Sequence, residues 1–304
     1  MTKTYDLIII GTGPAGYTAS IYASRYKINQ LLIGKEAGGL ASEAHKICNF
    51  PGEPKITGLE LIEKLRNHIK SEKIKEIYDE VIEIKKDKDK FLITTRDNSI
   101  LNTKYILLAI GTQRRKLNLP DEKKFLGKGL SYCTTCDALF FKNKVVAVIG
   151  GSDAANTSSL YLSKIALKVI QIYRKDKLRG DPTWIEQVKN NPKIEIIYNR
   201  NIEKLIGENI LEYIVLDDNT KIKIDGLFIE IGSVPNLALI KKLKIKTNRE
   251  GYIIVDNAQR TNIEGIWAAG DITTGSNSFR QIITACSEGA VSIRDIFKTI
   301  MKEK

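Results

Sequence analysis

The amino-acid sequence predicts an α/β protein of two doubly wound nucleotide-binding domains, the second inserted into the first. Three observations lead there. A continuous apolar run, YDLIII, is followed by GTGPAG, a helical pattern through YTASIYASRY and a second apolar run, QLLIG. The same order of strand, glycine-rich turn, helix and strand recurs as KVVAVIG, GGSDAA, TSSLYLSKIA and KVIQIYRKDKLR. After that second copy, strand patterns resume in GYIIVD and TNIEGIWAAGD before a final helix beginning near Phe279. One long repeat signals two nucleotide-binding halves rather than a solenoid. The expected boundaries are 1–112 with 237–304 for the first domain and 113–236 for the insert.

In the first copy, the flanking strand and helix turn GxGxxG into a dinucleotide fingerprint of Rossmann-like folds. Gly11 permits the tight turn, Gly13 lets the backbone approach a pyrophosphate, and Gly16 lets helix and strand pack closely. The pyrophosphate would sit on amides at the helix N-terminus, where the dipole favours an anion. Glu36 follows at the spacing expected of an acceptor for ribose hydroxyls, and a carboxylate in a surface turn is the alternative. Between this copy and the insert, GLELIEKLRNHIKSE reads as a helix, and IYDEVIEIK, KFLITTRD and YILLAIGT read as strands extending the first sheet. RRKLNLPDEKK is the polar crossover into the insert.

In the second copy, Ser152 stands where the second glycine belongs, so its Cβ and hydroxyl must fit near the pyrophosphate. Ala155 at the third position is ordinary. Arg174, Lys175 and Arg179 follow the second strand, where an NAD-specific unit more often has a carboxylate. Cations there can hold a 2′-phosphate, which favours NADPH, with a solvated basic turn as the alternative. IEIGSVPN closes the insert on a Gly and Pro turn. In GIWAAGD a strand ends on Gly270 and Asp271, and such an aspartate can hydrogen-bond a flavin's ribityl hydroxyls, although a strand-ending Gly-Asp taken alone is more often a turn.

The chain has 304 residues, enough for two domains, and a hydrophobic fraction of 42% that suits a globular core. Its formal charge of +12 is dispersed, as in IEIKKDKDKF, with no basic run interleaved with aromatics, so a lysine-rich surface is expected rather than a nucleic-acid partner. No signal-peptide pattern or membrane span is read, and a cytoplasmic location is expected. In that compartment the CxxC of SYCTTCDALFF is catalytic or metal-binding rather than a structural staple. A zinc site needs about four ligands, whereas Cys48 and Cys286 are isolated and expected as small core residues, and His45 and His68 lie in unrelated segments.

CTTCD after a first GTGPAG unit, followed by VIGGSDAA, YRKDKLR, IEIGSVPN, GIWAAGD and RQIITACSEGA, resembles low-molecular-weight thioredoxin reductase, a class II pyridine nucleotide-disulfide oxidoreductase family, over essentially the whole chain. The resemblance implies an FAD-binding domain, an inserted NADPH-binding domain carrying the CxxC, and a homodimer. It places Gly11, Gly13, Pro14, Ala15, Gly16 and Glu36 on the adenosine and pyrophosphate side of FAD. Gly39, Leu40, Asn49, Val81 and Gly111 join the cofactor-binding set, as do Asp271, Arg280, Gln281 and Ile282 near the flavin, its ribityl chain and its phosphates. On the nicotinamide side it implies Gly151, Ser152, Asp153, Ala154, Arg174, Lys175 and Arg179. Ser152, Tyr173, Lys175 and Leu40 depart from the family's GGGxxA, HRRxxxR and GGQL patterns.

The implied activity is a relay from NADPH through FAD to the Cys133 and Cys136 disulfide, and onward to thioredoxin or a similar disulfide protein. By resemblance Cys136 is the thiol nearest the flavin, Cys133 attacks the partner's disulfide, and Asp137 provides or relays a proton, with an N-terminal helix residue favoured by the dipole as the alternative or additional role of Asp137. A helix starting after the pair is expected to lower a thiol pKa. Rotation of the insert about crossovers near 111–120 and 232–236 would let the pair serve both reactions. The alternatives are a family member with another electron donor, a dithiol oxidase, or a redox-sensing flavoprotein.

Overall fold

Leu7, Ile8, Ile9 and Ile10 are buried on both sides of their strand, as a parallel strand covered on both faces requires. The computed structural model describes residues 4–303. β1 (Thr4–Ile10) leads through α1 (Pro14–Arg25) to β2 (Gln30–Gly34), which pairs with it in parallel. α2 (Gly58–Ser71) starts on a reciprocal capping box in which Thr57 and Glu60 satisfy each other's backbone amides. β3 (Glu76–Tyr78), β4 (Val81–Asp87), β5 (Lys90–Thr95) and β6 (Ile100–Leu108) follow. The long β6 lies between β1 and the antiparallel β5 in the sheet order β3-β2-β1-β6-β5-β4.

β7 (Thr112–Arg114) carries the chain into the insert. There α3 (Glu122–Phe125), β8 (Leu130–Ser131) and α4 (Thr134–Asp137) precede the second glycine-rich unit. That unit is β9 (Val145–Ile149), α5 (Asp153–Leu162) and β10 (Lys168–Tyr173), followed by α6 (Pro182–Lys189) and β11 (Ile194–Tyr198). An antiparallel trio comes next: β12 (Ile202–Ile206), β13 (Tyr213–Leu216) and β14 (Lys221–Lys223). β15 (Gly226–Ile229) completes the parallel sheet β11-β10-β9-β15-β8. The chain leaves through β16 (Ser233–Pro235), which pairs with β7. β17 (Ile266–Ala268) then pairs in parallel with the C-terminal half of β6, and α7 (Ile282–Glu303) ends the chain against α1.

Two compact units result, one running to Gln113 and resuming at Val234, the other spanning Arg114–Ser233. Each is organised around its own apolar clusters, Ile8, Ile33, Ile106 and Ile266 in the first and Ala147, Ile172, Leu227 and Ile229 in the second.

Two helix starts differ from expectation. The final helix begins at Ile282 rather than near Phe279, because Ser276, Asn277 and Ser278 all adopt positive φ and Thr284 Oγ1 accepts the Gln281 amide at 3.0 Å. The helical turn at the cysteines starts within the CxxC, at Thr134, rather than after it, and passes into a 3₁₀ turn over Ala138–Phe141.

Candidate functional sites in the two units

In the first unit a Cβ on Gly11, whose φ is +120°, would overlap the carbonyl oxygen of Ala109, and one on Gly16 would overlap that of Gly11. Side chains are therefore excluded where strand and helix meet. Gly13 precedes the helix in extended backbone (φ −89°, ψ −176°), and a Cβ there would meet nothing nearer than Gly38 O at 3.8 Å. Pro14 and Ala15 open α1, and proline at the first helical position costs no hydrogen bond. Free amides thus face a space kept clear of side chains, which fits a pyrophosphate. The turn after β2 is tied to this loop, since Gly38 N donates to Thr12 O and Thr12 Oγ1 donates to Glu36 O at 2.6 Å. Glu36 is exposed, Gly39 and Leu40 begin a 3₁₀ turn, Val81 is packed in the sheet core, and Gly111 adopts φ +57°.

The same unit brings Asn49 and Gln281 together, with Asn49 Nδ2 donating to Gln281 Oε1 at 3.0 Å. Arg280 stacks 3.5 Å over the Tyr252 ring, and its Nε and Nη2 are buried without a protein acceptor. Buried guanidinium donors of this kind suit a phosphate or another polar ligand. Burial pushes the Asp271 carboxyl up, Arg280 opposes that, and Glu288 adds to it. Glu288 holds the turn before Asp271, accepting from Gly270 N at 2.7 Å and Thr273 Oγ1 at 3.0 Å. Ile282 packs with the small cluster of Ile47, Ile56 and Leu61.

The second unit repeats the device almost angle for angle. Gly150 (φ +141°) takes the place of Gly11, and a Cβ on it would overlap Glu230 O. Ser152 (φ −108°, ψ −177°) matches Gly13, and Asp153 starts α5 as Pro14 starts α1. Serine therefore fits the backbone at 152 without strain. A cleft of about 470 Å³ opens beside this loop, lined by Gly150, Gly151, Ser152, Tyr173, Arg174 and Arg179. Arg115, Lys116 and Arg200 also line it, and the motifs gave no sign of them. Lys175 is exposed and does not line the cleft, and the Tyr173 ring takes the space that a Cβ on Gly151 would need. The loop carrying Arg179 is fastened to the glycine turn: Arg179 N donates to Gly151 O at 2.8 Å, Asp181 N to Asp153 Oδ1 at 2.7 Å, and Asn156 Nδ2 to Arg179 O at 3.2 Å. Ala154 lies on the first turn of α5.

Also in this unit, Cys133 and Cys136 form a disulfide, with Cα atoms 5.3 Å apart. Cys133 is half-buried and Cys136 exposed. Cys133 caps α4, its Sγ accepting the Cys136 amide at 3.2 Å, while Ser131 Oγ accepts the Cys133 amide at 3.0 Å. An amide aimed at Cys133 Sγ would stabilise a thiolate there once the bond opens. Asp137 follows on the same turn, half-buried. Cys48 is exposed, contrary to its expected place in the core, and burial pushes the half-buried Cys286 thiol up. Among the described residues no cluster of His, Cys, Asp and Glu could hold a metal, and no helix is long and apolar enough to cross a membrane.

The sequence reading also missed Glu230, whose buried carboxylate sits behind the CxxC turn. A charge inside the apolar run GLFIEIG was the available signal.

Residues 5–289 match the pyridine nucleotide-disulphide oxidoreductase family. A thioredoxin reductase of Treponema pallidum is 38% identical, covering 96% of each chain, and one of Peptoclostridium acidaminophilum is 35% identical, also covering 96% of each. Among solved structures, the FR conformation of Lactococcus lactis thioredoxin reductase superposes with a TM-score of 0.94 at 34% identity, covering 98% of this chain and 99% of that one.

Proposed function

We propose, from the premise that the chain belongs to the pyridine nucleotide-disulphide oxidoreductase family and to its thioredoxin reductase group, that it is an NADPH-dependent reductase of thioredoxin or a thioredoxin-like protein. The proposal assigns FAD to the domain of residues 1–112 and 237–304, and NADPH to the insert of residues 113–236. The observation that carries it is the Cys133–Cys136 disulfide in a unit with a cationic nucleotide cleft, while the other unit holds a second glycine cradle and unpaired Arg280 donors. When bound, the two cofactors supply the two-electron chemistry that opens the disulfide.

The chain's own residues do the rest. Amides at the start of α1 and the Arg280 guanidinium hold the flavin nucleotide's phosphates, and Asp271 orients its ribityl hydroxyls. Arg174 and Arg179 hold the 2′-phosphate of the nicotinamide nucleotide. After reduction the Cys136 amide stabilises a Cys133 thiolate, which attacks the partner's disulfide through a mixed disulfide. Asp137 relays the proton that the departing sulfur needs. The crossings at Thr112–Arg114 and Ser233–Pro235 serve as hinges, and the working form is a homodimer in the cytoplasm.

An anaerobic titration followed by visible spectroscopy tests this. NADPH should bleach a flavin band and oxidised thioredoxin should restore it. Cys133→Ser should keep the bleaching and lose the transfer. A colourless protein, or transfer retained in the variant, would overturn the assignment. A second reading, another electron donor, draws on Lys175 lying outside the cleft. Bleaching by a donor other than NADPH would favour it.

A further inference from the structure

Glu230 follows directly on β15 and is only 4% exposed. Its Oε1 accepts hydrogen bonds from Thr134 Oγ1 at 3.2 Å and Ser158 Oγ at 2.9 Å, and its Oε2 from Arg114 Nη1 at 2.7 Å. Thr134, itself 3% exposed, is the residue immediately after Cys133. Ser158 lies on α5, the helix that begins at the nucleotide loop. Burial raises the carboxyl's pKa, and Arg114 and the two hydroxyls oppose that. A buried ion pair is seldom more stabilising than apolar residues of the same volume. Stability therefore does not account for a glutamate at a strand end that is otherwise apolar.

We propose that Glu230 is a positioning residue of the redox pair: through Thr134 it fixes the turn bearing Cys133, and its negative charge keeps the Cys133–Cys136 dithiol a strong reductant. The reasoning rests on the proposed function. Opening the disulfide takes two electrons and two protons and leaves sulfurs that share their protons with solvent. A carboxylate behind the turn disfavours thiolates, which raises the free energy of the reduced pair relative to the disulfide. Removing the charge relieves that repulsion.

The test is the dithiol–disulfide equilibrium of the full chain in buffers of reduced and oxidised dithiothreitol, read by alkylation and mass spectrometry. Glu230→Gln, nearly the same shape without the charge, should shift the pair about tenfold towards the dithiol, roughly 30 mV for a two-electron couple. Glu230→Asp, which keeps the charge, should stay within about twofold of the parent. A Glu230→Gln pair that titrates with the parent, whatever its melting temperature, overturns the proposal. So does a Glu230→Asp pair that shifts as far as Glu230→Gln. Should Glu230→Gln not fold, Thr134→Val must move the equilibrium at least threefold while Thr134→Ser does not, and parent-like behaviour of Thr134→Val refutes the link. The buffer supplies the electrons, so a parent lacking NADPH-driven turnover counts against the proposed function and not against this role.

Discussion

Gly13 and Ser152 have nearly the same backbone, extended in both cases, so the glycine at the first site is there for space and not for a left-handed turn. Serine at the second therefore adds only a Cβ and a hydroxyl. Ser152→Gly should leave NADPH affinity, measured by calorimetry, within a few-fold of the parent, and should lower stability by about 0.5 kcal/mol through the freedom glycine gains on unfolding. A large gain in affinity would mean that the serine obstructs the site. Gly11 is the opposite case, since its positive φ and its close approach to Ala109 O both exclude a side chain. Gly11→Ala should cost about 3 kcal/mol, seen in the melting curve, and should release bound flavin. Arg174 and Arg179 line the cleft as exposed cations. Replacing either with Gln should lower the preference for NADPH over NADH by about tenfold, the loss of one charge-assisted pair, in the ratio of kcat/KM values.

Among the elements, the loop after β10 shows how residues that line the cleft are held by others that do not line it. Asp153 accepts the Asp181 amide, and that bond fixes Gly180 at φ +117° and with it the neighbouring Arg179. Asp153→Ala should weaken NADPH binding about fivefold, near 1 kcal/mol, with little change in flavin content. An unchanged Kd would show that the loop is held without it. Much at this scale was legible in the sequence. β1, β9 and β10 are apolar runs because both faces are covered, and the glycine turns sit at their ends because the backbone there excludes a Cβ. What sequence spacing could not convey was convergence. Arg115 and Lys116 reach the cleft from the entry to the insert, and Arg200 from the turn after β11, so only the topology of the sheet brings them to Arg174 and Arg179. Lys175 shows the complementary effect: Arg174, just before it, lines the cleft and Lys175 does not. Likewise, nothing in the serines of GSNS signals the positive φ that delays α7.

For the whole molecule, the decisive property is that the insert is one unbroken stretch of chain. Arg114–Ser233, about 120 residues, has the size of an ordinary domain, and its apolar clusters are drawn from residues within it. The cationic cleft, the cysteine pair and the Glu230 network all lie inside the same bounds. A fragment spanning 114–233 should therefore fold cooperatively, with a single transition in circular dichroism. It should bind NADPH about tenfold more tightly than NADH and be colourless, since the cradle of Gly11 and Arg280 belongs to the other unit. The NADPH affinity should fall as salt rises, because the proposed preference rests on exposed arginines. A fragment that folds but fails to separate the two nucleotides would place the selection outside the insert and undo the roles given to Arg174 and Arg179. A fragment that carries flavin would reverse the assignment of cofactors to the two units.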